Sequence, residues 1–112
     1  MPEFVHKNLA AGRWRELSLM EQLGNIGSEV SRAAMAQGKD EKRFENAFER
    51  ALELFDLTLD DPRWRGRKQE IARAREVFCD AASRGEMYGA SLEDMDRYFF
   101  PFAIAARRKN AL

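Results

Sequence analysis

From Leu19 to Ala106 the apolar residues return every three or four positions, and nowhere do they alternate with polar ones as a half-buried strand requires. That period confines the chain to helices packed on helices. Only three prolines interrupt a sequence otherwise rich in Ala, Leu, Glu and Arg, all good helix formers apart from the prolines. Four segments carry the period. The first opens with Ser18-Leu19-Met20-Glu21, a capping box, runs along a seam of Leu19, Leu23, Ile26, Val30 and Ala33, and stops at Gly38. The second, from Asp40 to about Leu59, has a broad apolar face of Phe44, Phe48, Ala51, Leu52, Phe55 and Leu59, widened by Ala47 and Leu54, and needs neighbours on two sides. The third is expected from Pro62 to about Arg84, with Trp64, Ile71, Ala74, Phe78 and Ala81 inward and Gly85 as its stop. The last is capped by Ser91 and carries Leu92, Met95, Phe99, Phe102 and Ala106. Pro101 should kink it or split it near Phe100.

The expected fold is therefore all-α: an antiparallel four-helix bundle over residues 18–112, preceded by an extension at residues 1–17. Pro2 to Ala11 reads as a short amphipathic helix with Phe4, Val5 and Leu9 on one side, and Trp14 and Leu17 as anchors onto the bundle. A chain of 112 residues is the size of one domain and can bury a core without disulfides.

Several chemistries have too few residues to work with. One cysteine, Cys79, leaves no internal disulfide framework and fits a reducing compartment. One histidine, His6, gives neither the paired Glu-x-x-His motifs of a di-iron bundle nor a closed zinc site, so no metal and no cofactor is expected. Ser/His/Asp catalysis is limited by the same histidine, and Cys79, next to Asp80, reads as structural. No catalytic residue is assigned. An enzyme would require Glu29, Asp56 and Arg73 to converge in a buried pocket. No stretch approaches the roughly 20 apolar residues of a bilayer span, and Met1-Pro2-Glu3-Phe4 lacks the start of a signal peptide, so no membrane partner and a cytoplasmic location are expected.

Two features remain. Gly24 and Gly27, with Ser28 and Ser31, make a small-residue strip that suits close approach of another helix, within the chain or from a partner. Tyr98-Phe99-Phe100-Pro101-Phe102 places more rings around one point than a core face absorbs. Gly24, Gly27, Phe100 and Phe102 are accordingly expected to serve helix packing or assembly, including a homo-oligomer.

The second feature is charge. The chain has 19 basic and 19 acidic residues and a net charge of zero, so only their distribution is informative. After the cap Asp61-Pro62 come Arg63, Arg65, Arg67 and Lys68, at the helix end where the dipole favours acids. An anionic neighbour is implied. From Lys39 to Asp61 there are eight acids and four bases, and from Arg63 to Glu76 six bases and two acids, so the second and third helices read as complementary halves of a hairpin. In particular Glu41, Glu45, Glu49 and Glu53 should form a stripe that meets bases on a neighbouring helix. Positions 63, 65 and 67 point in different directions, so internal pairing cannot use all of them. Arg67, at seam spacing between Trp64 and Ile71, is expected to bury part of its stem. Arg63, Trp64, Arg65, Arg67 and Lys68 are the candidate contacts to a partner, a protein or RNA, with Arg107-Arg108-Lys109 as further bases.

Leu19–Val30, Phe48–Thr58, Ala72–Phe78 and Tyr98–Ala103 together resemble a group of short bacterial helical proteins associated with diversity-generating retroelements. The resemblance spans residues 17 to 108 and implies a non-enzymatic accessory of a reverse transcriptase and its RNA. The functional expectation is thus an interaction or adaptor protein, self-associating, with direct RNA or DNA binding through the basic cluster as the alternative.

Overall fold

The computed structural model describes residues 12–83 and 85–111, with side chains through Arg107. The helix expected at Pro2–Ala11, His6 and the side chains of Arg108 and Lys109 lie outside the described residues. Every regular element described is helical: α1 (Leu19–Ala36), α2 (Glu41–Leu59), a short 3₁₀ helix (Pro62–Arg67), α3 (Lys68–Ser83) and α4 (Leu92–Ala111).

Local signals place the ends. Ser18 and Glu21 exchange the two hydrogen bonds of a capping box, and Ser91 and Asp94 do the same at the start of α4. Asp40 caps α2 through the Arg43 amide. Gly38 and Gly85 have φ of 76° and 69°, the left-handed conformation that ends a helix. Pro101 lies within α4 and does not split it. The loop after α3 is held down by Asp80, whose carboxylate accepts the amides of Met87 and Tyr88, while the Tyr88 hydroxyl donates to Glu76.

Helix α1 lies at the centre, packed most extensively against α4 and next against α2. Its burial is correspondingly two-sided: besides the seam residues Leu23, Ile26, Val30 and Ala33, it buries Gln22, Gly24, Gly27 and Glu29. Contact with α4 depends on the glycines. A methyl group on Gly27 would lie 2.7 Å from Phe99 Cβ, and one on Gly24 would lie 3.4 Å from Ala103 Cα and the Phe102 carbonyl oxygen. The remaining core is a run of rings. Phe78 of α3 packs on Phe48 and Phe55 of α2, with centroids 5.3 and 5.9 Å away, and Phe55 meets Phe99 of α4 edge-on at 5.9 Å.

Replacing Gly27 by Ala should therefore destabilise the fold even though Ala is the better helix former by about 1 kcal/mol. The clash is with a Cβ, which cannot swing away, and overpacking of this kind costs ~1–3 kcal/mol. Urea denaturation should show Gly27→Ala as a net loss of up to about 2 kcal/mol and Gly24→Ala as the milder of the two.

Candidate functional site

The basic cluster does not begin an α-helix. Pro62–Arg67 is a 3₁₀ helix with Trp64 off helical geometry at φ −103° and ψ 23°, and the α-helix starts only at Lys68. Asp61 and Pro62 start a 3₁₀ turn as readily as an α-helix, because both signals act on the first residues alone. The changed register places Arg67 outward, paired with Glu70 at 3.2 Å on an exposed surface, and not along the seam.

The anionic neighbour implied by the charge pattern is, for Arg63, the cap residue itself. Asp61 is 2% exposed. Its Oδ1 accepts the Arg63 amide at 3.0 Å and Nε at 3.1 Å, while Oδ2 accepts Nη2 at 2.7 Å. The same guanidinium donates to the Leu17 carbonyl at 2.8 Å and lies 4.4 Å from the Trp64 ring centroid. These bonds hold the Asp61 carboxyl well below the usual range, at about 2, with the Arg63 side-chain hydrogen bond as the largest cause and burial opposing it.

Asp61 is one node of a buried polar network. Gln22, fully buried, donates from Nε2 to Asp61 Oδ2 at 3.1 Å and to the Trp14 carbonyl at 2.9 Å. Its Oε1 accepts Trp64 Nε1 at 2.9 Å. The amide has one workable orientation here, since the indole can only donate and the carboxylate and carbonyl can only accept. Trp14 Nε1 in turn donates to Thr58 Oγ1 at 2.9 Å. The network joins the segment before α1, α1 itself, the end of α2 and the 3₁₀ turn. Nothing local in the sequence marks Gln22, Thr58 or Asp61 as buried; the useful signal was that two indoles, each needing an acceptor when buried, flank them in the fold.

The five candidate contact residues divide accordingly. Arg63 and Trp64 are committed to the network and Arg67 pairs with Glu70, whereas Arg65 and Lys68 are exposed with no acidic partner among the described residues. Internal pairing with α2 runs instead through Arg75, whose Nε lies 3.0 Å from Asp56 Oδ1. Glu41, Glu45 and Glu49 face solvent, so this part of the acidic stripe lies on the side of α2 turned away from the core. Of the assembly candidates, Gly24, Gly27 and Phe102 take part in packing within the chain, and Phe100 is 61% exposed on α4.

Other reactive groups are dispersed. Asp56 and Arg73 are at the surface, Arg73 lying 5.5 Å from the Tyr88 ring, and neither joins Glu29. Glu29 is buried and pairs with Arg32 through one oxygen, lining an open groove of about 620 Å³ between α1 and α2 with Met35, Arg43 and Arg50. Burial pushes the Cys79 thiol up, which disfavours the thiolate. Among the described residues no three His, Cys, Asp or Glu side chains are grouped to hold a metal ion, and no helix is long and apolar enough to cross a membrane.

The depressed Asp61 carboxyl has a signed consequence. The folded state binds fewer protons there than the unfolded state, so its contribution is complete above pH ~4 and disappears as pH falls through about 2. A shift from 3.8 to about 2 corresponds to about 2 kcal/mol. Asp61→Asn should therefore cost roughly that much near neutrality, and denaturation curves of the two proteins should converge between pH ~4 and ~2. Comparison with protein-family models, curated proteins and solved structures finds no match to this chain.

Proposed function

We propose that this protein is a non-enzymatic adaptor, a four-helix bundle that binds the acidic surface of a protein partner through the turn at Pro62–Lys68. One observation carries the reading: Arg65 and Lys68 stand exposed and without an acidic partner among the described residues, on a turn tied to α1 and to the segment before it by Asp61, Arg63 and Trp64. A fixed backbone loses little entropy when its side chains bind, which is what a small recognition surface needs. The resemblance to retroelement accessory proteins would make the partner a reverse transcriptase.

Direct RNA binding is the second reading. It is favoured by the Arg63 guanidinium on the Trp64 face, a flat cationic ledge beside Arg65 and Lys68 that suits stacked bases next to phosphates.

Reversal at Arg65 and Lys68, rather than at Arg63 with its structural role, separates these readings. The double variant Arg65→Glu/Lys68→Glu should fold normally and bind an Asp/Glu-rich peptide about tenfold or more weakly, because attraction becomes repulsion at both positions. If RNA is the ligand, anisotropy with a labelled structured RNA should show wild-type affinity falling about tenfold between roughly 50 and 200 mM salt, as for two phosphate contacts, with a shallower slope in the variant. Unchanged binding of both ligands in the variant would remove this surface from the account.

A further inference from the structure

Helix α4 carries a second surface, independent of the basic turn. Glu93, Asp96, Phe100, Ile104 and Arg107 follow one another at steps of three, four, four and three, so they share one stripe of the helix. The stripe faces away from the core, which α4 meets through Leu92, Met95 and Phe99. Phe100 is 61% exposed and Ile104, one turn on, 36%. Beside them is a recess of about 310 Å³, floored by Gly27, Ser28, Ser31 and Ala103, whose small side chains leave room for an inserted ring.

The order of residues along the stripe singles out the occupant. Counted from Phe100, Ile104 and Asp96 lie four positions to either side, and Arg107 and Glu93 lie seven, about 10 Å along the axis in each direction. A two-fold axis through Phe100 would bring Glu93 of each copy to Arg107 of the other, with Asp96 one turn away from the same guanidinium. Parallel alignment would instead set Glu93 on Glu93 and Arg107 on Arg107. None of these three charged side chains has an ion-pair partner among the described residues, so none must break a bond to make the contact. Asp94 and Arg97, on the neighbouring strip, already pair with each other and stay out of it.

We propose that the occupant is a second copy of this chain: α4 pairs antiparallel with α4 of its partner, the two Phe100 rings meet at the two-fold axis, each beside the recess formed with α1, and Glu93–Arg107 ion pairs close both ends. The surface is self-complementary, as a two-fold contact must be. It is small and its ion pairs are exposed, so the dimer is a reversible one, weakened by salt.

Sedimentation equilibrium of the full chain tests this. Wild type should move from monomer towards dimer with concentration, and less so in high salt. Phe100→Lys, at an exposed position, should keep the wild-type circular dichroism and stay monomeric. Glu93→Arg alone and Arg107→Glu alone should each dissociate the dimer, since each sets like charges together at both ends. An equimolar mixture of these two should recover it as a heterodimer, and Glu93→Arg/Arg107→Glu on one chain should recover it as a homodimer. The double variant also rules on direction, because parallel pairing would leave it as repulsive as wild type. A wild type that stays monomeric at every concentration overturns the proposal, as does a dimer indifferent to Phe100→Lys or a pair of charge variants that do not rescue each other. The Arg65 and Lys68 surface takes no part in the experiment, so its outcome leaves the adaptor reading to its own test.

Discussion

A single buried carboxylate holds together the end of the molecule where the chain changes direction. Asp61 receives hydrogen bonds from the turn that follows it and from α1, and through Gln22 it reaches the Trp64 indole and the backbone carbonyl of Trp14, whose own indole is anchored to α2. A charge with almost no exposure is tolerable only with a partner and with its remaining lone pairs occupied. Here Arg63 supplies the charge and Gln22 completes the set. Each member depends on the others, because removing one leaves a buried donor or acceptor unsatisfied at about 1–3 kcal/mol. The direction in which α3 leaves α2 is thus governed by polar contacts as much as by the apolar core.

The other half of the architecture depends on the absence of side chains. Gly24 and Gly27 each weaken α1 by about 1 kcal/mol relative to Ala, and both face α4 at distances that leave no space for a methyl group at Gly27. The backbones come close, Phe99 fills the remaining volume, and its ring continues the aromatic run that reaches Phe78 of α3 through Phe55. Helix α3 has fewer contacts than the others and relies on that run, on Arg75–Asp56 and on the Asp80 clamp over the following loop.

Features with a local cause were legible in the sequence. The capping boxes at Ser18 and Ser91, the glycine stops and the apolar seams each depend on residues within a turn or two of one another, and each lies where the spacing placed it. The site was legible in part. Polar residues are expected at the surface, so Gln22 and Thr58 offered no sign of burial; their partners Trp64 and Trp14 lie 42 and 44 residues away. Cap signals do not distinguish a 3₁₀ turn from an α-helix, so the third α-helix starts at Lys68 rather than Pro62, and that shift turns Arg67 from the seam to solvent. Total charge along a segment does not say which face of its helix carries it, and on α2 Glu41, Glu45 and Glu49 face solvent.

That last distinction bears on both surfaces of the molecule. Acids at the start of a helix and bases at its end complement the dipole, so Glu93 and Arg107 on α4 have a sufficient explanation within one chain. Arg65 and Lys68 have no such explanation, since they stand at the wrong end of α3 and the acid that would neutralise them is spent on Arg63. On α4 it is Phe100 that the dipole does not explain: an exposed ring midway between opposite charges, beside a recess lined by small side chains, gains nothing in an isolated monomer. Charge order stabilises the helix and sets the direction in which a second copy fits, while the ring supplies the reason for a second copy to be there.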